Sequence, residues 1–320
     1  MKSKQLAVYL TFLSLLTFCS CNNDVFVDEL QTSATEIEMN GDGDSTTIQT
    51  NASDWKIWSV DDTSNPAGNQ FQGKVYDESG DIKGYDVNFF QINRAKGKLV
   101  YIGRQNGFTV NHNKDNAIDI SVDENLQDSA FKFTVWICDA YKTIPIHITQ
   151  AASSGYSFDH IAYQYLPDSY HKEWVSSSIT MNNEGDTLRT EMSVFSGKHR
   201  IYKFSSDEPK AFGYLNDLLQ VDIPILEDDG TLLIGTEKVP YMPKVQEGRL
   251  PFDDVMQPIV LPPGESQLRL DIAYAYFDAA YTLYLRSNKT GLTKSVNGIF
   301  HSKMPLKTEY LVFINDKWQR

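Results

Sequence analysis

The sequence predicts an all-β protein built as two β-sandwich domains in tandem, the second carrying one short helix. Three observations lead there. The chain has 320 residues, enough for two ordinary domains. Aromatic residues are plentiful, with 17 Tyr, 17 Phe and 5 Trp. Short runs of Val, Ile, Thr and Tyr alternate with polar residues, whereas apolar residues at helical spacing are scarce.

Residues 1–20 read as a leader. Lys2 and Lys4 precede an apolar run from Leu6 to Phe18, and Ser20 is a small residue at the break. A membrane-spanning helix needs roughly 20 apolar residues. This run is shorter, and Asn22, Asn23 and Asp24 end it at once. The stretch Leu15-Leu16-Thr17-Phe18-Cys19-Ser20-Cys21 resembles the lipobox of bacterial lipoproteins, although Phe18 stands where an aliphatic residue is usual. The resemblance implies that Cys21 becomes the first mature residue, carries lipid and binds the protein to a membrane. A plain secretory peptide is the alternative. Residues 21–32 then form a tether. Its Asn22-Asn23-Asp24 and Asp28-Glu29 resemble the acidic signal that sends Bacteroidetes lipoproteins outward, implying an outer-membrane location facing the exterior.

Removing the leader, with two lysines and no acid, takes the formal charge from −13 to −15. Such a surface is unsuited to nucleic-acid phosphates or anionic lipid heads, so no nucleic-acid partner is expected. Neutral glycans remain open. Of three cysteines, Cys138 alone lies outside the leader and its junction, so no internal disulfide is available. Its setting, Phe133-Thr134-Val135-Trp136-Ile137-Cys138, is that of a buried strand residue.

The first domain is expected over residues 33–152. Glu36–Met39 and Ser45–Thr50 flank Asn40-Gly41-Asp42-Gly43-Asp44 and read as a hairpin. As a calcium loop the segment fails, because Ser45 and Asn51 stand where an EF-hand counted from Asn40 needs Gly and Glu. Trp55-Lys56-Ile57-Trp58, Ala117–Asp123, Phe131–Ile137 and Thr143–Gln150 supply further strands, and residues 151–155 a linker. The Trp55 strand after Asn-Ala-Ser-Asp, the Ile-Ser-Val-Asp-Glu-Asn segment and the closing Ile146-His147-Ile148-Thr149-Gln150 resemble the BACON domain. That family is a small immunoglobulin-like sandwich common in Bacteroidetes surface lipoproteins. It implies an immunoglobulin-like first domain serving as a non-catalytic spacer or glycan-associated module. Residues 61–112 exceed what such a domain needs and read as added strands extending one sheet, including Lys74–Tyr76, Tyr85–Ile92 and Lys98–Ile102.

The second domain is expected over residues 156–320. Tyr156–Tyr165 opens it, and Trp174–Met181 with Leu188–Phe195 reads as a hairpin around Asn182–Asp186. Glu208–Gln220 is the one predicted helix, with Pro209 in its first turn and Phe212, Leu215, Leu218 and Leu219 on one face. Short strands follow over residues 220–226, 231–235 and 238–242. The strongest β pattern is Ser266–Tyr276, where Leu268, Leu270, Ile272, Tyr274 and Tyr276 share a face. Residues 280–286 and 308–314 complete the set.

Motifs of chemistry are missing. The six histidines form no His-x-His or His-Glu-x-x-His pattern, and no Gly-x-Ser-x-Gly elbow or phosphate-cradling loop occurs. Neighbouring acids such as Asp228-Asp229 and Asp253-Asp254 rarely face each other across a cleft, as glycoside hydrolysis requires. Neither enzymatic activity nor a metal or other cofactor is expected. Sugars lie flat on exposed aromatic rings. The candidates for ligand stacking are Tyr163, Tyr165, Tyr170 and Trp174, with Tyr281, Tyr284 and Trp318. Trp55 and Trp136 are assigned to core. The expected function is thus a lipid-anchored, non-catalytic envelope protein that binds surface glycans or assists their uptake. The alternative is a structural or adhesive module that binds another protein, for which an unpaired strand edge would speak.

Overall fold

The computed structural model describes residues 29–63, 70–85, 96–215, 219–227, 231–235 and 237–319. The chain is all-β, and no helix occurs among the described residues. Ten strands form the N-terminal half: β1 (Glu36–Met39), β2 (Asp44–Gln49), β3 (Lys56–Asp62), β4 (Lys74–Asp77), β5 (Ile82–Gly84), β6 (Gly97–Ile102), β7 (Gly107–Lys114), β8 (Ala117–Val122), β9 (Phe131–Cys138) and β10 (Thr143–Gln150). They make two sheets, β1-β10-β9-β3 and β2-β8-β7-β6-β4-β5. Alternate side chains point inward, so Ile144, Ile146 and Ile148 of β10 meet Ile118 and Ile120 of β8 in one apolar cluster with Trp55, Phe108 and Phe133.

The expected hairpin over residues 36–50 does not form. β1 pairs in parallel with β10 while β2 pairs with β8, so the Asn40–Gly43 turn carries the chain from one sheet to the other. Closure of the sandwich is the reason. A Cβ on Gly41 would stand 2.1 Å from the Ala152 carbonyl oxygen. The buried Gln150 amide donates to the carbonyls of Asp123 at 2.6 Å and Asn40 at 3.1 Å. The last residue of Ile-Thr-Gln therefore latches both sheets together. Residues of the 61–112 segment do extend one sheet, as β4, β5, β6 and β7. The strand expected over 85–92 lies, apart from Tyr85, outside the described residues. Cys138 is buried, as its strand setting implies.

The C-terminal half is organised by three long strands. These are β11 (Tyr156–Asn183), β20 (Gly264–Ser287) and β21 (Thr293–Ile314); β12 (Leu188–Ser193) and β13 (Arg200–Ser205) follow β11 in the chain. Next come β14 (Gln220–Asp222), β15 (Ile225–Leu226), β16 (Leu232–Leu233), β17 (Lys238–Pro240), β18 (Gln246–Gly248) and β19 (Met256–Leu261). The chain ends with β20 (Gly264–Ser287), β21 (Thr293–Ile314) and β22 (Lys317–Gln319). The main sheet runs β11-β20-β21-β13-β18, with β22 also on β21. Over Phe277–Leu285 the odd-numbered side chains of β20 are buried, in a cluster with Tyr202, Phe204 and Val221. Over Leu268–Tyr274 the even-numbered ones are buried instead, against Ile259 and Leu261 of β19.

Two further expectations are corrected here. Residues 174–195 are not a hairpin, because β11 pairs with β20 and β12 with β19. The long apolar strand β20 offers β11 a partner over its full length, which a six-residue strand cannot match. Nor is 208–220 a helix in its described part. It forms turns closed by Ala211 N–H to Glu208 at 3.1 Å and Gly213 N–H to Lys210 at 2.8 Å. The Arg104 guanidinium takes the Phe212 carbonyl at 2.8 and 3.1 Å, and the Gly213 backbone packs against the Arg104 carbonyl. Phe212, Leu215 and Leu219 still pack on the core, so the apolar pattern is real while its period misleads.

The two halves are tied by charges as well as by residues 151–155. Tyr156 donates to Glu124 at 2.5 Å, Lys210 to the Glu124 carbonyl at 3.1 Å, and Lys289 to Asp42 at 2.6 Å. The Lys289 and Ser154 hydrogen bonds hold the Asp42 carboxyl below its ordinary range. Arg200 is buried, with its guanidinium on the Pro224 carbonyl and Ser302 hydroxyl, and burial pushes it down to about 10.

His112 stacks on Trp55 at 3.9 Å, and the indole N–H donates to the Asp115 carbonyl at 2.9 Å. Burial, reinforced by Lys96, pushes His112 down to about 4. The unfolded histidine titrates near 6.5, so the unfolded chain binds the extra proton between those values. Stability is therefore complete above pH 6.5 and falls as pH drops toward 4. Urea unfolding at pH 7.5 and 4.5 should show a loss of about 2–3 kcal/mol attributable to this residue. The His112→Phe variant should lose that much less stability on acidification, and equal losses would reject the assignment.

Candidate functional site

The stacking aromatics divide by the face each strand buries. Tyr281 is 2% exposed, its hydroxyl 2.9 Å from that of Tyr241, because odd-numbered residues of β20 turn inward here. Tyr163 donates to the Asp222 carbonyl at 2.8 Å, and Tyr165 packs on the same cluster. Burial pushes the hydroxyls of Tyr163 and Tyr281 up, the latter to about 12. These rings support the core and offer no platform. Tyr284 is half-buried and stacks on His160 at 4.3 Å. Tyr170, Trp174 and Trp318 are exposed. Cys21 lies outside the described residues.

The fold assembles one constellation that no spacing in the chain announces. Ser205 Oγ lies 2.9 Å from His301 Nε2, and His301 Nδ1 lies 2.8 Å from Asp278 Oδ1. With Nδ1–H donating to the carboxylate, Nε2 is free to accept the serine proton, which is the connectivity of a nucleophile, a base and its orienting acid. Ser205 also borders a cleft of about 540 Å³ with Glu208, Thr282 and Asn297. Other features suit a structural hydrogen-bond string better. The three residues sit on adjacent strands, where β20, β21 and β13 bring such side chains together by register alone. Ser205 has a second acceptor, the Ile299 carbonyl at 3.2 Å. The Asp278 and His301 side chains are 35% and 43% exposed, whereas the orienting acid of a working triad is buried. Ser205 occupies a paired strand rather than a sharp turn that would aim backbone N–H groups at an oxyanion.

The remaining acids are engaged in similar ways. Asp254 caps a turn, accepting from Ser193 and from the backbone of Phe195 and Val255, which holds its carboxyl low. No group of three metal-ligating side chains occurs among the described residues. A second cleft, about 560 Å³ between the two halves, is lined by Asp42, Asp123, Glu124, Glu208, Lys210 and Lys294. Lys210 there reaches Asp123 at 3.4 Å and Lys294 reaches Glu124 at 3.7 Å, so opposite charges already face each other.

The feature without a partner is an edge. β11 is the outer strand of the main sheet, and among the described residues no strand pairs with its far side. Its 28 residues extend roughly 90 Å at strand rise. Near its start the register is broken between Phe158 and His160 and between Leu166 and His171, where Pro167 also falls. From His171 to Asn183 the register with β20 is continuous. Trp174–Asn183 contains no charge and no proline. Natural edges are blunted by lysines, prolines, bulges or shortness, and this stretch has none of them. Direct pairing of Val175 with Ile272 and Ile179 with Leu268 places both on the face that carries the third apolar cluster. They are nevertheless 42% and 60% exposed.

No family model and no curated protein matches the chain. Among solved structures, a protein from Bacteroides thetaiotaomicron determined by NMR aligns with 41% of this chain and 94% of its own, at 17% identity and TM-score 0.26. An aerolysin-like protein from Bombina maxima aligns with 49% and 97%, at 8% identity and TM-score 0.21. The parasporin-2 toxin of Bacillus thuringiensis, described as recognising cancer cells, aligns with 60% and 81%, at 8% identity and TM-score 0.22. Likenesses at such scores carry no argument about activity.

A fluorophosphonate probe separates chemistry from structure at Ser205. The expected outcome is no labelling above that of Ser205→Ala. Labelling that Asp278→Asn abolishes would instead assign acyl-transfer chemistry to the string.

Proposed function

We propose that this chain is an envelope protein, held to a membrane through lipid on Cys21, that binds other protein chains by strand addition along β11. The single observation that carries the reading is the free, uninterrupted and uncharged edge from Trp174 to Asn183. Added strands gain main-chain hydrogen bonds, while alternate side chains supply selectivity. Here Val175 and Ile179 would meet apolar side chains of the incoming strand, and Ser176 and Ser178 small or polar ones. The first half acts as a spacer on its tether, as the BACON resemblance implies. A photo-crosslinking residue at Ser176, introduced in the native host, should capture a discrete partner, and the same residue at exposed Lys317 should not. The adduct should fractionate with membranes and become soluble with Cys21→Ser. Equal capture at both positions would overturn the edge reading.

Glycan binding stands as a second reading, favoured by the exposure of Trp174 and Trp318 at 53% and 52%. Trp318 pairs with Phe313, Phe313 with Arg269 and Arg269 with Ser178, so its ring shares a face with Trp174. On a glycan array, binding should drop about fivefold in Trp174→Ala if the rings stack on sugar, since stacking is worth on the order of 1 kcal/mol. No binding at millimolar glycan would remove this reading.

A further inference from the structure

We infer that the strand added to β11 is β11 of a second copy, in an antiparallel pair centred on Ser178. The inference rests on the edge reading and names its partner. Outward-facing N–H and C=O groups occur at alternate residues of β11, so a two-fold antiparallel pair must pivot on a residue rather than between two. The uncharged stretch Trp174–Asn183 leaves Ser178 and Ile179 as the central choices. Pivoting on Ile179 would set Trp174 opposite Glu184. Pivoting on Ser178 sets Trp174 opposite Asn182, Ser176 opposite Thr180, Val175 opposite Met181 and Ser177 opposite Ile179.

Two consequences of that register support it. Val175, Ser177, Ile179 and Met181 pair with Ile272, Leu270, Leu268 and Ser266, so they share the face carrying the third apolar cluster. Met181 already packs on that cluster, whereas Val175 and Ile179 lie half in water. In the symmetric pair each Val175 meets the other copy's Met181, and the apolar row of one copy continues into the next. Beyond the uncharged stretch, Lys172 comes level with Glu184 of the other copy, the residue that follows the end of β11, twice by symmetry. Opposite charges facing across strands are favourable, and like charges there are not.

Sedimentation equilibrium of the purified full chain over 1–100 μM should show a monomer–dimer equilibrium. Glu184→Lys, which sets two lysines against each other, should weaken dimerisation about tenfold. Adding Lys172→Glu should restore most of it. Lys172 also pairs with Glu309 in its own chain, so the double variant is compared with Lys172→Glu alone. Register is read independently by oxidation. Ser178→Cys, facing itself across the axis, should form a disulfide-linked dimer, and Ile179→Cys should not. A monomer at 100 μM that still crosslinks to a different protein through Ser176 would overturn self-pairing and leave the edge reading standing. Absence of both would overturn the two together. Preferential linking through Ile179→Cys would overturn the stated register.

Discussion

The C-terminal half depends on one constraint, that β20 is hydrogen-bonded along both of its edges. Its 24 residues pair with β11 on one side and β21 on the other, through registers that together run from Gly264 to Ser287. A strand paired on both sides over most of its length leaves few backbone groups to water, so it fixes the line on which everything else is placed. Its side-chain pattern then decides where the covers go. Odd-numbered residues are buried near its C-terminal end and even-numbered ones near its N-terminal end, giving two apolar clusters on one set of strands.

That arrangement creates the exposed edge as a by-product of its own length. β11 has to match β20 to satisfy it, yet the covering pair β12–β19 spans only six residues in each strand. The cover reaches Met181 but leaves Val175 and Ile179 half in water. A sheet this long with a short cover carries an unpartnered flank, and strand addition is the physical means by which such a flank is closed.

The N-terminal half works differently. Its two sheets close over a single cluster, and its buried polar groups serve the closure. Gln150 reaches the turn at Asn40, and the Asn125 amide holds the Ser129 and Ala151 carbonyls at 2.9 and 3.0 Å. Trp55 and His112 stack within the same core. These contacts give a structural role to Trp55, Asn125 and Gln150, which stand in the segments that resemble the BACON domain. The acids Asp42, Asp123 and Glu124 then meet Lys289, Lys210 and Lys294 of the other half, and the connection at 151–155 is further pinned by Ser154 N–H to Asp42 at 3.1 Å.

Alternation of apolar and polar residues was enough to establish an all-β chain, the strands around Ile118, Val135, Ile146 and Leu270, and the inward assignment of Trp55. Those features depend on neighbours two residues apart, which the chain displays directly. Strand partners were a different matter. Turn chemistry predicts hairpins over 36–50 and 174–195, but the sandwich and the length of β20 claim their strands for more distant partners. The spacing of Phe212, Leu215 and Leu219 predicts a helix over 208–220; these residues do pack on the core, but Arg104 shapes their backbone into turns. Tyr281 and Tyr284 illustrate the same limit, because which aromatic faces out depends on which side of the sheet is covered. Ser205, His301 and Asp278 meet only through the register of three strands. The free edge of β11 likewise has no local signature, since an edge is defined by a partner that no other described strand provides. Composition and two-residue alternation thus determined that strands form, and long-range pairing alone decided which of their surfaces remain to be used.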